Sequence, residues 1–112
     1  MEVYFSTNTL YKACLNNIDG NKRWGKTIAD KVRLRITEFE AASSLADISK
    51  LPPARCHELV NNRAGQLSVV LSGNVRLIFK PNNDPVPKQP SGGLDWGKVT
   101  EIIILEVIDY HG

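Results

Sequence analysis

Cysteine is scarce: Cys14 and Cys56 are the only two, too few for the disulfide framework that staples small secreted domains. A reduced, cytosolic setting is the expectation. No apolar run approaches the roughly 18 residues of a membrane-spanning helix, and the opening residues lack the basic and then apolar regions of a signal peptide. Membrane insertion and secretion are therefore not expected. The glycine-rich turn that would cradle a phosphate between strand and helix is missing, as is a G-x-S-x-G nucleophile elbow. No internal repeat interrupts the chain.

What remains is ordinary for one globular domain. The 112 residues are 42% hydrophobic and 23% charged, enough to bury a single modest core without a structural metal. The net charge of +2 is unevenly spread. Residues 1–80 hold 12 basic against 7 acidic side chains, and residues 81–112 hold 2 against 5. Between Lys12 and Arg35 there are seven cations (Lys12, Lys22, Arg23, Lys26, Lys31, Arg33, Arg35) and two acids, Asp19 and Asp30. Such a density suits either a solvated helix face or contact with phosphate or an acidic partner.

Periodicity supplies the elements. Val3 and Phe5 alternate in a short strand over 2–6, and Ser6 to Thr9 offer caps for a brief helix ending near Asn16, Asn17 and Gly20. Trp24, Ile28, Val32, Ile36 and Phe39 recur every three or four positions, predicting one long helix over 21–42. Lys22, Lys26 and Arg33 fall on its other side. A short helical turn runs to Ile48, and Leu51-Pro52-Pro53 stops it. Strands are predicted over 55–60, 67–71 and 75–79, joined by Asn61-Asn62-Arg63-Ala64-Gly65 and by Ser72-Gly73-Asn74. Residues 81–97 carry four prolines and read as a long irregular loop unable to join a ladder. A last strand, 99–108, is continuously apolar and is expected to be central and covered on both faces. The predicted class is α+β, β-α-α-β-β-β-β, with helices on one face of a mostly antiparallel sheet.

Four groups of residues could carry chemistry. Asp109, Tyr110 and His111 follow the most apolar strand; a frayed polar end and a proton-transfer cluster are both open readings. His57 lies just after the proline stop. Arg63 and Arg76 could clamp phosphate with two hydrogen bonds, the alternative for Arg76 being an ion pair with Asp or Glu. Cys56, His57, Asp109 and His111 match no zinc spacing, so neither metal nor cofactor is expected. His, Arg, Asp and Tyr beside a basic helix are the parts for cleaving RNA without metal: a base for the 2′-hydroxyl, cations for the phosphate and an acid for the leaving 5′-oxygen. The same parts could bind an acidic protein.

Asn61-Asn62-Arg63-Ala64-Gly65, Asn74-Val75-Arg76-Leu77 and the closing Ile108-Asp109-Tyr110-His111 together resemble the HigB branch of the RelE/ParE toxin superfamily, the plasmid maintenance killer proteins. The resemblance covers most of 50–80 and 99–111. It implies a RelE-like fold and a ribosome-dependent mRNA endonuclease that inhibits translation in the cytoplasm. Its implied partners are the ribosome, mRNA and a helix-turn-helix antitoxin of the HigA kind. His57, Asp109, Tyr110 and His111 would be catalytic, Arg63 and Arg76 would hold phosphate, and Lys22, Lys26 and Arg33 would contact RNA. Some members carry Lys three residues after the His; Val60 stands there. Other members of the superfamily inhibit DNA gyrase through protein contacts, so the alternatives are a ParE-like protein-binding toxin or a weakened toxin that only binds its antitoxin.

Overall fold

The structure, a computed structural model, describes residues 1–109. β1 (Glu2–Phe5) leads into α1 (Asn8–Leu15), α2 (Asn17–Trp24), α3 (Lys26–Ala41) and α4 (Leu45–Ser49). β2 (His57–Glu58), β3 (Leu67–Ser72), β4 (Val75–Pro81) and β5 (Glu101–Asp109) follow, with 3-10 turns at Pro52–Ala54, Asn61–Arg63 and Trp96–Lys98. The five strands lie in the order β1-β5-β4-β3-β2; β1 runs parallel to β5 and every other pair is antiparallel. The α+β class and the one-sided helical layer stand as predicted. Among the described residues, no helix is long and apolar enough to cross a membrane.

The helical layer is cut more finely than periodicity suggested. Thr7 Oγ1 accepts from Leu10 N to start α1. Asn16 closes α1 and starts α2, its Oδ1 accepting from Ile18 N and Asp19 N. Gly20, read as a stop, lies inside α2, where a Cβ would sit 2.5 Å from the Ala13 carbonyl oxygen. Its role is close helix contact. The predicted single helix over 21–42 is broken at Gly25, whose φ of 81° costs a residue without a side chain little. Periodicity carries no mark of such a break, because Trp24 and Ile28 keep helical spacing across it.

Leu10, Val32, Ile36 and Phe39 from the helices meet Leu67, Val69, Leu77, Phe79, Ile102 and Ile104 from the strands in one core. Phe39 and Phe79 pack ring to ring at 4.9 Å between centroids. Alternation therefore sends Ser68, Val70, Arg76, Ile78 and Lys80 to the opposite face. Arg35 is the charged member of the interior, only 4% exposed. Its Nε donates to the Val70 carbonyl at 2.8 Å, Nη2 to the Pro53 carbonyl at 3.1 Å and Nη1 to Glu38 Oε1 at 2.8 Å.

Three strand predictions are corrected. β2 shrinks from the expected 55–60 to two residues, bounded by positive φ at Arg55 (47°) and Asn61 (58°). β5 is central but covered on one face: Ile102 and Ile104 are buried while Ile103 and Leu105 stay half-exposed. A register shift opposite Ile78 and Phe79 inserts Leu105, which turns Val107 back toward the core and Glu106 outward. The proline-rich segment starts later than 81, because Pro81 ends β4 in register with Ile102 and Trp96–Lys98 forms a turn.

Replacing Arg35 with Ala leaves Glu38 without its ion-pair partner and two carbonyls without their donor. Loss of a buried pair of this kind costs about 3 kcal/mol, so thermal unfolding should move down by roughly 10 °C or more. A melting curve within about 3 °C of the parent would show that the guanidinium is not holding α3 to the sheet.

Candidate nucleic-acid interface

The face of the sheet turned away from the helices gathers the polar residues. His57 is in register with Ser68, Ser68 with Ile78 and Ile78 with Glu106, one row across four strands. Arg76 lies two residues from Ile78 on the same face. The 3-10 turn Asn61–Arg63 brings the Arg63 head over this row.

His57 is exposed at the sheet edge. Its Nδ1 lies 3.2 Å from the Arg55 carbonyl oxygen. A carbonyl only accepts, so the neutral tautomer that fits this contact carries its hydrogen on Nδ1 and a lone pair on Nε2. Arg55 holds that carbonyl in place from a left-handed conformation, a state that costs a residue with a side chain about 1–3 kcal/mol and concentrates at functional sites. Ser68, next to His57, is wholly buried, with its Oγ unpartnered among the described residues.

Arg63 donates from Nη1 to Gln66 Oε1 at 2.9 Å, and both terminal nitrogens reach Glu106 Oε2 at 3.2 Å. Arg63 is thus paired with a carboxylate across the sheet, a contact that residue type alone does not reveal. The pair is partly open to solvent, with side-chain exposures of 29% and 47%. Pairs this open contribute about 0–1 kcal/mol, so an incoming phosphate can displace Glu106. Arg76 Nη1 donates to the Gly73 carbonyl at 2.7 Å and the Val75 carbonyl at 3.2 Å, which aims the head at the β3–β4 turn.

Asp109 is placed elsewhere. It is in register with Val75, which packs toward the core, and it borders a hollow of about 190 Å³ with Trp24 and Ile28. Three strands and three residues separate it from the His57 row, roughly 17 Å at ordinary sheet spacings. The two are not brought together. Tyr110 and His111 lie outside the described residues.

The basic helical run divides three ways. Arg35 is internal. Lys26 and Arg33 both pair with Asp30, whose carboxyl is held below its usual range by the Lys26 ammonium first and by Arg33 second. Lys22 joins Lys12 and Arg23 around a hollow of about 410 Å³ between α1 and α2. The positive field at the surface is therefore smaller than a count of seven cations suggests.

Sequence reading missed Glu106, Gln66 and Ser68. Glu106 had a signal, a lone carboxylate inside an apolar strand. Ser68 had none, because its face depends on strand register. Among the described residues, no group of three or more His, Cys, Asp or Glu side chains could hold a metal ion.

No family model matches the sequence, and no curated protein matches it. Solved structures do share the architecture. The YoeB/ParE toxin from Agrobacterium tumefaciens aligns over 99% of this chain and 100% of its own at 9% identity, with a TM-score of 0.57. The YoeB-YefM complex from Staphylococcus aureus aligns over 100% of this chain and 98% of its own at 13% identity, also with a TM-score of 0.57. The fold is the one these YoeB-type structures share.

Cys56 precedes His57, and its chemistry is constrained. Burial pushes its thiol up to about 12, with the Glu58 charge adding to the effect, and burial takes Cys14 to about 12 as well. Both values lie far above pH 8, so both groups stay protonated there, with a thiolate fraction of about 1 in 10⁴. Iodoacetamide at pH 8 should leave the folded chain unmodified and label two sites after denaturation. Rapid labelling of the folded protein at Cys56 would contradict the burial assigned to it.

Proposed function

We propose that this chain is the toxin of a type II toxin-antitoxin pair, acting in the cytoplasm as a HigB-like, ribosome-dependent mRNA endonuclease without a metal. The observation that carries the reading is His57. Its ring is exposed at the sheet edge with one nitrogen against the Arg55 carbonyl, and it lies on the same sheet face as Arg63 and Arg76. The shared toxin fold and the sequence resemblance support the same reading.

In this reading His57 Nε2 takes the proton of a ribose 2′-hydroxyl, and that oxygen attacks the adjacent phosphorus. Arg63, leaving Glu106, and Arg76 balance the charge building on the phosphate oxygens. The bond to the 5′-oxygen breaks, and an acid returns a proton to it. We place that acid in the closing Asp109, Tyr110 and His111 segment, with Tyr110 stacking on a base. Lys22, Lys26 and Arg33 contact ribosomal RNA phosphates. A helix-turn-helix antitoxin of the HigA kind neutralises the protein.

Induced expression with mapping of mRNA 5′ ends tests the reading. The parent should arrest growth and create new ends, and His57→Ala should lower their yield by about 100-fold or more, the usual worth of a positioned base. New ends at parental yield from His57→Ala would remove it from the mechanism. Growth arrest by both proteins without new ends would instead identify a protein-binding toxin of the gyrase-inhibiting kind.

A further inference from the structure

The proline-rich segment builds one wall of a third hollow. Two asparagines tie its start to β5: Asn83 Oδ1 accepts from Thr100 N and Glu101 N, and Asn82 Nδ2 donates to Glu101 Oε1. Leu94 pins its far end into the core at 8% exposure, and Asp95 N donates to the Pro87 carbonyl at 3.0 Å. Trp96 Nε1 then donates to Glu58 Oε2 at 3.2 Å, joining this segment to the residue after His57. Between the segment and the ends of β2, β3 and β4 lies a hollow of about 380 Å³, within the size range of small-ligand sites, about 300–1,000 Å³.

The lining is graded. Lys80 and Lys88 bring two ammonium groups, and neither is ion-paired among the described residues. Glu58 is the lone acid of the lining, and its carboxylate is engaged by Trp96. Gln66 offers an amide, and Val86, an exposed apolar side chain at 39%, forms a flat wall. Two cations, an amide and an apolar wall complement the phosphate, base edge and base face of a nucleotide. An acidic peptide would use the cations and leave the wall idle.

We propose that this hollow is an RNA subsite, holding the nucleotide adjoining the one at His57, with Lys80 and Lys88 on its phosphate and Val86 against its base. The proposal rests on the nuclease reading. Lys80 lies on the same sheet face as Ile78, two residues along β4, roughly 12 Å from His57 at ordinary sheet spacings. A lysine arm and one nucleotide bridge that gap.

The test is titration of the purified chain with a fluorescein-labelled single-stranded RNA oligonucleotide at several NaCl concentrations. Lys80→Ala/Lys88→Ala should weaken binding about tenfold and flatten the salt slope by about 0.7, the value for one phosphate. Lys80→Arg/Lys88→Arg should restore it, and Lys31→Ala/Lys50→Ala should leave it unchanged. Circular dichroism melts confirm that each variant is folded. RNA binding by the alanine pair within twofold of the parent overturns the subsite, as does a parent that binds no RNA. Loss of binding to a polyglutamate peptide with RNA binding intact would also overturn it, and would assign the hollow to an acidic protein segment. The two readings separate cleanly. New mRNA ends with lysine-independent RNA binding would refute the subsite alone, whereas lysine-dependent binding without new ends would refute the nuclease alone.

Discussion

The buried guanidinium of Arg35 is the constraint from which the site's geometry follows. An arginine at 4% exposure is tolerable only with its donors satisfied, and each acceptor comes from a different place: Val70 on β3, Glu38 one turn along α3, and Pro53 in the turn before β2. Satisfying all three fixes the helix against the sheet and fixes the Pro52–Ala54 turn against both. Arg55 follows directly in its left-handed conformation, and its carbonyl orients His57. A packing requirement in the core is thereby passed, through four residues of backbone, to the imidazole at the edge. Ion pairs on the surface play no comparable part, since solvent and chain entropy leave such pairs little net worth.

Strand parity is the second organising fact. The inserted residue at Leu105 lets one continuously apolar strand serve two faces, Ile102, Ile104 and Val107 toward the helices and Glu106 toward Arg63. Without that shift Glu106 would point into the core and Val107 into water. The same shift puts Asp109 on the helical side beside Trp24, away from His57.

Elements with a strong period were legible from the sequence: the α3 stripe, the β3–β4 hairpin around Gly73 and the apolar β5 all lie where their patterns put them. Features set by single residues were not. Gly25 breaks a helix whose apolar spacing continues across it, and a bulge in β5 changes which face each residue takes while leaving composition untouched. Arg35 looked like any other cation in a basic run, because burial is a property of the partner surfaces. His57, Arg63 and Arg76 stood out as candidates from residue type and resemblance. That Arg63 would meet Glu106 across the sheet required the register.

The openness of the site bears on how it would work. His57 is exposed, Arg63 and Glu106 are partly solvated, and the flanking cations Lys80 and Lys88 stand in water. Two charges 4 Å apart interact by about 1 kcal/mol in bulk water and by about 4 kcal/mol at the effective dielectric near a protein surface. Charged side chains as solvated as these stabilise a developing phosphate charge weakly. Laying RNA and a large partner over them removes solvent from the arginines and raises the worth of every contact at once. Under the nuclease reading this is the physical form that dependence on the ribosome takes: the chain contributes a positioned base and two guanidinium groups, and the partner contributes the low dielectric in which they become effective.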